Sequence, residues 1–148
     1  MTAKPMSTAL QRPGWEHALL ALAHEARLAA SAPAARPFTG VQHLDRAYAH
    51  CAALTAEHSR SFFLASGLLP PEKRRAARAL YAFCRVTDDL VDRPGSGAAR
   101  QLAAWRARAL SPEPPAHDLV ALAWADTRLR CHIPPRYAEQ LCDGVARD

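Results

Sequence analysis

From Val41 onward, apolar residues recur every three or four positions, and that period restricts the chain to helices. Leu44, Tyr48, Cys51, Thr55, His58 and Phe62 follow the spacing, which places side chains on one face of an α-helix. The spacing predicts a first helix from Val41 to about Ser66, stopping near Gly67. Pro70-Pro71-Glu72 opens a second, with proline in the first turn and an acid favouring the N-terminus. That helix continues to Asp92 and ends before Pro94-Gly95. A third covers about Ala98 to Leu110, a fourth about Pro115 to Cys131, and Pro134-Pro135 opens a last one. No segment alternates as a strand does, and no repeat period is present. The expected fold class is all-α.

Residues 1–40 have a different composition. Pro5, Pro13, Pro33 and Pro37 break the segment, and between them Trp15 to Ala30 predicts one Ala-rich amphipathic helix. The stretch from Ser31 to Pro37 reads as a linker. The expected organisation is an N-terminal appendage over 1–40, partly disordered with a short helix, and a helical domain over 41–148. No apolar run approaches the roughly 18 residues of a membrane span. Glu16, Glu25 and the lack of a compact apolar core argue against a secretory signal. The net charge of +5, carried mostly by Arg, suits phosphate-bearing ligands, nucleic acid or an anionic membrane surface. Cys51, Cys84, Cys131 and Cys142 form no C-x-x-C pair; they read as reduced, mostly buried thiols of a cytosolic protein rather than zinc ligands.

The densest chemistry lies in Tyr81-Ala-Phe-Cys-Arg-Val-Thr-Asp-Asp-Leu-Val-Asp92. On a helix, Asp88 and Asp92 sit one turn apart, with Asp89 beside them. Three carboxylates this close repel one another unless a positive group lies between them. They also stand at the helix C-terminus, where the dipole disfavours negative charge. A hard divalent cation, Mg²⁺ above all, would relieve both penalties. Arg74, Arg78, Tyr81, Arg85, Asp88 and Asp92 fall within about one quadrant, and Leu80, Phe83, Cys84, Leu90 and Val91 on another arc. The same pattern also fits a solvated acidic patch paired to nearby arginines, with Tyr81 as ordinary packing.

A second cluster, His58-Ser-Arg-Ser-Phe-Phe63, gathers an imidazole, two hydroxyls and a guanidinium suited to phosphate. Its plainer reading is a polar helix end with self-capping serines and a core Phe pair. Nothing orders His58 against a nucleophile as a triad requires.

Taken together, HSRSFFLASGLLPPEKRRA (from His58) and ALYAFCRVTDDLVD (from Ala79) closely resemble the squalene/phytoene synthase family, almost continuously over about 35 residues. Weaker similarity continues through Asp118-Leu-Val-Ala-Leu-Ala and His132-Ile-Pro-Pro to Leu141-Cys-Asp-Gly144, and residues 1–40 lie outside it. The resemblance implies an isoprenoid-synthase-type helical bundle and head-to-head condensation of two prenyl diphosphates, with geranylgeranyl diphosphate giving phytoene in carotenoid biosynthesis. It assigns Mg²⁺ to Asp88 and Asp92 with Asp89 adjacent, and Mn²⁺ is an acceptable substitute. It assigns a diphosphate contact to Arg85, a site role to Tyr81, and the lining of the substrate site to His58, Ser59, Arg60, Ser61 and Phe62. Phytoene formation implies no NADPH; squalene- and hydroxysqualene-forming relatives are the alternative products, and C15 and C20 substrates both stay open.

The family's second aspartate-rich motif has no counterpart here. The chain is therefore expected to be an N-terminal half, weakly active or inactive alone, with exposed apolar helix faces. A noncatalytic scaffold on the same fold is the alternative, disfavoured by the intact acids and Arg85. Nucleic-acid binding is not expected, since the acids repel phosphate and no readout motif is present. The implied location is the cytoplasm, peripheral to the inner membrane because substrate and product are greasy.

Overall fold

The computed structural model describes residues 15–30, 40–92 and 95–145. Among these there are seven helices and no strand. The chain divides into two compact units, residues 1–32 and 33–148. The first holds α1 (Trp15–Ala30), whose Leu19, Leu20, Leu22 and Leu28 are exposed. The expected linker at 31–37 lies outside the described residues.

The second unit holds α2 (Val41–His58), α3 (Arg60–Ser66), α4 (Pro71–Val91), α5 (Ala98–Leu110), α6 (Leu119–Arg130) and α7 (Pro135–Val145). The all-α expectation is borne out. At the centre stands α6, buried without interruption from Val120 to Arg128, as a helix enclosed on all sides must be. It packs against α2, α4 and α5, and α4 in turn touches every other helix of the unit. None of the described helices is long and apolar enough to cross a membrane.

Phe83 of α4 is the pivot of the core. Its fully buried ring stacks on Trp124 of α6 at 4.8 Å and lies 6.0 Å from Trp105 of α5. Thr87, one turn on, donates to the Phe83 carbonyl (2.7 Å) and accepts from Trp105 Nε1 (2.9 Å). Its hydroxyl is therefore satisfied although it has no exposed surface. A second buried network joins α2 to α6: Tyr48 Oη donates to Asp126 (2.7 Å), lies 3.0 Å from the Thr127 hydroxyl, and Arg130 Nε donates to the same Asp126 oxygen (2.8 Å). A buried carboxylate needs such partners to remain charged.

Three expectations are corrected. The helix from Val41 does not run on to Ser66. Ser59 is extended (φ −148°, ψ 90°), and its hydroxyl accepts from Phe62 N, so one helix ends at His58 and α3 begins. A serine whose side chain replaces a helical backbone partner can break a helix where the apolar period does not. The fourth helix begins at Leu119, not Pro115, because Asp118 caps Ala121 N at 3.1 Å. Leu80, expected on the apolar arc of α4, is 42% exposed; the buried positions are Ala79, Ala82, Phe83 and Thr87, where two alanines let neighbouring helices approach closely. At its far end α6 stops at Arg130, and two residues on His132, with a φ of 51°, carries the reversal while Ile133 N donates to Arg128 O (2.9 Å).

The four cysteines are free; Cys51 and Cys142 are buried, Cys84 is half-buried, and Cys131 is exposed. Burial, with Asp118 adding, pushes the Cys51 thiol up to about 12. A raised pKa means the folded chain keeps a proton that the unfolded chain releases. The stabilisation is therefore complete below the unfolded value of about 8.5 and is lost as pH climbs towards 12. The denaturant midpoint should fall from pH 9 to 11, and more steeply for the native sequence than for Cys51→Ala.

Candidate functional site

The two polar clusters meet where α3 folds back on α4. The guanidinium of Arg78 reaches from α4 to the end of α3, with Nε donating to Ser66 Oγ (3.0 Å) and Nη2 to Phe63 O (3.1 Å). It also lies 4.0 Å over the Phe63 ring. Burial, then the neighbouring Arg74, lowers its pKa, though it stays charged. From this clasped helix Phe62 stacks on Tyr81 of α4, with centroids 5.1 Å apart. Nothing in the sequence spacing signals the Arg78 clasp, because its two acceptors lie on another helix. Hydrogen bonds from a charged donor contribute about 1.5–3 kcal/mol. Arg78→Ala should therefore speed amide exchange across Phe63 to Gly67 by about tenfold or more. Arg78→Lys should rescue little, lacking the planar fork.

One turn beyond Tyr81, Arg85 pairs with Asp89, so the middle acid braces the arginine. The Arg85 Nε is buried and has no acceptor among the described residues. Asp88 is half-buried and Asp92 exposed; neither makes an ion pair among the described residues. Asp92 is also the C-cap of α4, its N–H donating to Asp88 O at 2.9 Å. Burial pushes the nearby Cys84 thiol up to about 11, and the Asp88 carboxylate adds to the shift.

The three acids do not form a preassembled cluster: among the described residues no group of three or more His, Cys, Asp or Glu is placed to hold a metal. One face of one helix offers Asp88 and Asp92, while Asp89 is turned to Arg85. Their hard oxygens suit a divalent cation such as Mg²⁺, which keeps several ligands from water or substrate. Of the other cluster, Ser59 caps α3, and His58, Arg60 and Ser61 are outside any side-chain hydrogen bond or ion pair among the described residues. Phe62 and Phe63 make the cluster's contacts with the ionic face of α4, Phe62 with Tyr81 and Phe63 with Arg78. Leu64 of α3, Leu68 and Leu69 in the turn after it, and Leu80 of α4 are exposed.

Residues 55–148, which include every residue of this site, match the squalene/phytoene synthase family. The chain belongs to that family. Among its similar relatives, the 15-cis-phytoene synthase of Synechococcus elongatus is 40% identical over 119 residues, covering 77% of this chain and 38% of the relative. The chloroplastic phytoene synthase of Daucus carota is 34% identical over 110 residues, 71% of this chain and 27% of the relative. The 15-cis-phytoene synthase of Synechocystis is 45% identical over 62 residues, 42% of this chain and 18% of the relative. The chain therefore spans between about a fifth and two fifths of the length of these relatives. No solved structure matches it. Within this member of the squalene/phytoene synthase family, the acidic end of α4, Arg85 and the Phe62–Tyr81 pair form an ionic and aromatic strip.

Proposed function

We propose that this chain carries the first diphosphate-binding wall of a Mg²⁺-dependent prenyltransferase that joins two prenyl diphosphates head to head, geranylgeranyl diphosphate yielding phytoene. The observation that supports it most is the buried, acceptor-free Nε of Arg85, on the same face as Asp88, Asp92 and Tyr81. A buried donor without a partner costs free energy unless a ligand supplies the acceptor, and a diphosphate oxygen is the acceptor this face suits.

In this reading Asp88 and Asp92 hold the metal, and Asp89 orients Arg85. Bound Mg²⁺ would supply Lewis-acid pull on the departing diphosphate. Arg85 donates to a diphosphate oxygen as negative charge builds there. His58, Arg60 and Ser61, exposed at the α2–α3 junction, are free to take further phosphate oxygens, and Ser59 shapes the turn that presents them. Phe62 and Tyr81 offer ring faces to a developing allylic cation. The exposed leucines of α3, of the turn after it and of α4 suit a prenyl tail, which would help exclude water from the cation. The match of residues 55–148 to a family that includes phytoene synthases favours this reading over a scaffold.

The test is equilibrium binding of geranylgeranyl diphosphate to the 148-residue chain with and without Mg²⁺. Binding that rises steeply with Mg²⁺, or with Mn²⁺ in its place, is the expected result. Binding indifferent to both metals would overturn the assignment.

A further inference from the structure

A cavity of about 450 Å³ lies between α2, the first turns of α4 and the end of α6. Its size falls within the range of small-molecule pockets, about 300–1,000 Å³. It is remote from the acidic strip. Lys73, on its wall, and Asp88 are fifteen residues apart on one straight helix, about 22 Å along the axis.

Three cations and one acid line it: Lys73, Arg75, Arg130 and Glu72. Two of the cations are fixed in place by carboxylates outside the lining. Arg75 Nη2 pairs with Asp45 at 3.0 Å, and its guanidinium lies 4.2 Å over the Tyr48 ring. Arg130 Nε is tied to buried Asp126 at 2.8 Å. Each fork engages one of its five N–H groups in these pairs, so the remaining donors are set in position without being consumed. Lys73 makes no hydrogen bond or ion pair among the described residues. Tyr48, Ala76, Thr127 and the exposed Cys131 complete the lining. The space is too large for an inorganic anion alone, and its positive groups sit beside apolar wall.

We infer that this cavity is a second, metal-independent binding site for a small organic phosphate. The phosphate rests on Lys73, Arg75 and Arg130. The apolar body lies against Tyr48 and Ala76, and Glu72 accepts from a hydroxyl of the ligand. Oriented guanidinium donors favour phosphate over other anions of equal size. Because the cations come from the protein, binding requires no Mg²⁺, which separates this site from the acidic strip.

Cys131 provides the readout. In metal-free buffer, the alkylation rate of Cys131 in the full chain is followed by peptide mass mapping, with phenyl phosphate as the probe. Phenyl phosphate should slow Cys131 alkylation at least fivefold and leave Cys84 unchanged. Phenol, which has the ring without the charge, should protect far less. Lys73→Gln, a change at an exposed side chain, should raise the phenyl phosphate concentration needed for half-protection by about tenfold while leaving the unprotected rate unaltered. Added Mg²⁺ should make no difference. The inference is overturned if Cys131 reacts equally fast with and without phenyl phosphate up to about 10 mM, a concentration that detects even weak sites. Equal protection by phenol, or half-protection unmoved in Lys73→Gln, overturns it as well.

Discussion

Alanine at Asp88 or at Asp92 is expected to abolish the Mg²⁺-dependent part of geranylgeranyl diphosphate binding, a loss of about 100-fold or more. The two carboxylates stand one turn apart, and Asp89 is already engaged by Arg85. Removing either acid leaves a single free carboxylate on the strip, too little to hold a strongly hydrated cation. Other aspartates of the same chain act as internal controls. Asp45 pairs with Arg75 at the surface, and Asp45→Ala should leave metal-dependent binding intact. Asp118 has a structural duty, capping α6 through Ala121 N and pairing with Arg108 at 2.9 Å. Asp118→Ala should therefore cost about 1–2 kcal/mol of stability and leave Mg²⁺-dependent binding per folded molecule nearly unchanged. Titration calorimetry on the four proteins decides the matter, and equal losses in all of them would refute the metal assignment.

The largest effect on folding should come from Phe83→Ala, which is expected to cost about 3–5 kcal/mol. Its ring has no exposed surface and is in contact with aromatic side chains of two other helices. Truncation would leave a void bounded by two indoles, whose rigid planes relax poorly into it. For a unit of this size the melting temperature, followed by circular dichroism, should drop by more than about 10 °C. Phe83→Leu, which keeps most of the volume, should cost markedly less. A fall of only a few degrees for the alanine variant would show that the core is not organised around this ring.

The helices that the sequence made legible are those whose ends are written locally. Pro71 with Glu72 opens α4, and Pro134-Pro135 opens α7; each signal needs only its neighbours. The break at Ser59 was hidden because His58 and Phe62 keep the helical spacing straight across it. The start of α6 was misplaced because Pro115 reads as a first-turn proline, whereas the Asp118 carboxylate finds its backbone partner three residues on. Leu80 failed for a different reason: which arc of α4 faces inward is decided by the close approach that Ala79 and Ala82 allow, and alanine leaves little mark on an apolar pattern. At the candidate site, the spacing of Asp88 and Asp92 was readable because one helix carries both. The engagement of Asp89 by Arg85 and the grip of Arg78 on α3 depend on side-chain directions and on a second helix. The phosphate cavity is further removed, since Lys73 and Arg130 are separated by about half of the unit's sequence and become neighbours only once α6 is enclosed.

The indoles of Trp105 and Trp124 flank the same phenyl ring yet differ in one atom's circumstances. Trp105 Nε1 has Thr87 as its acceptor, whereas Trp124 Nε1 is buried with none among the described residues. An excited indole relaxes towards longer wavelength when its N–H is bonded and emits further to the blue in hydrocarbon surroundings. This interior thus contains two fluorophores of different colour, one on α5 and one on α6, and with the chain's third indole removed by Trp15→Phe the shape of the emission spectrum tells which of those helices loosens first.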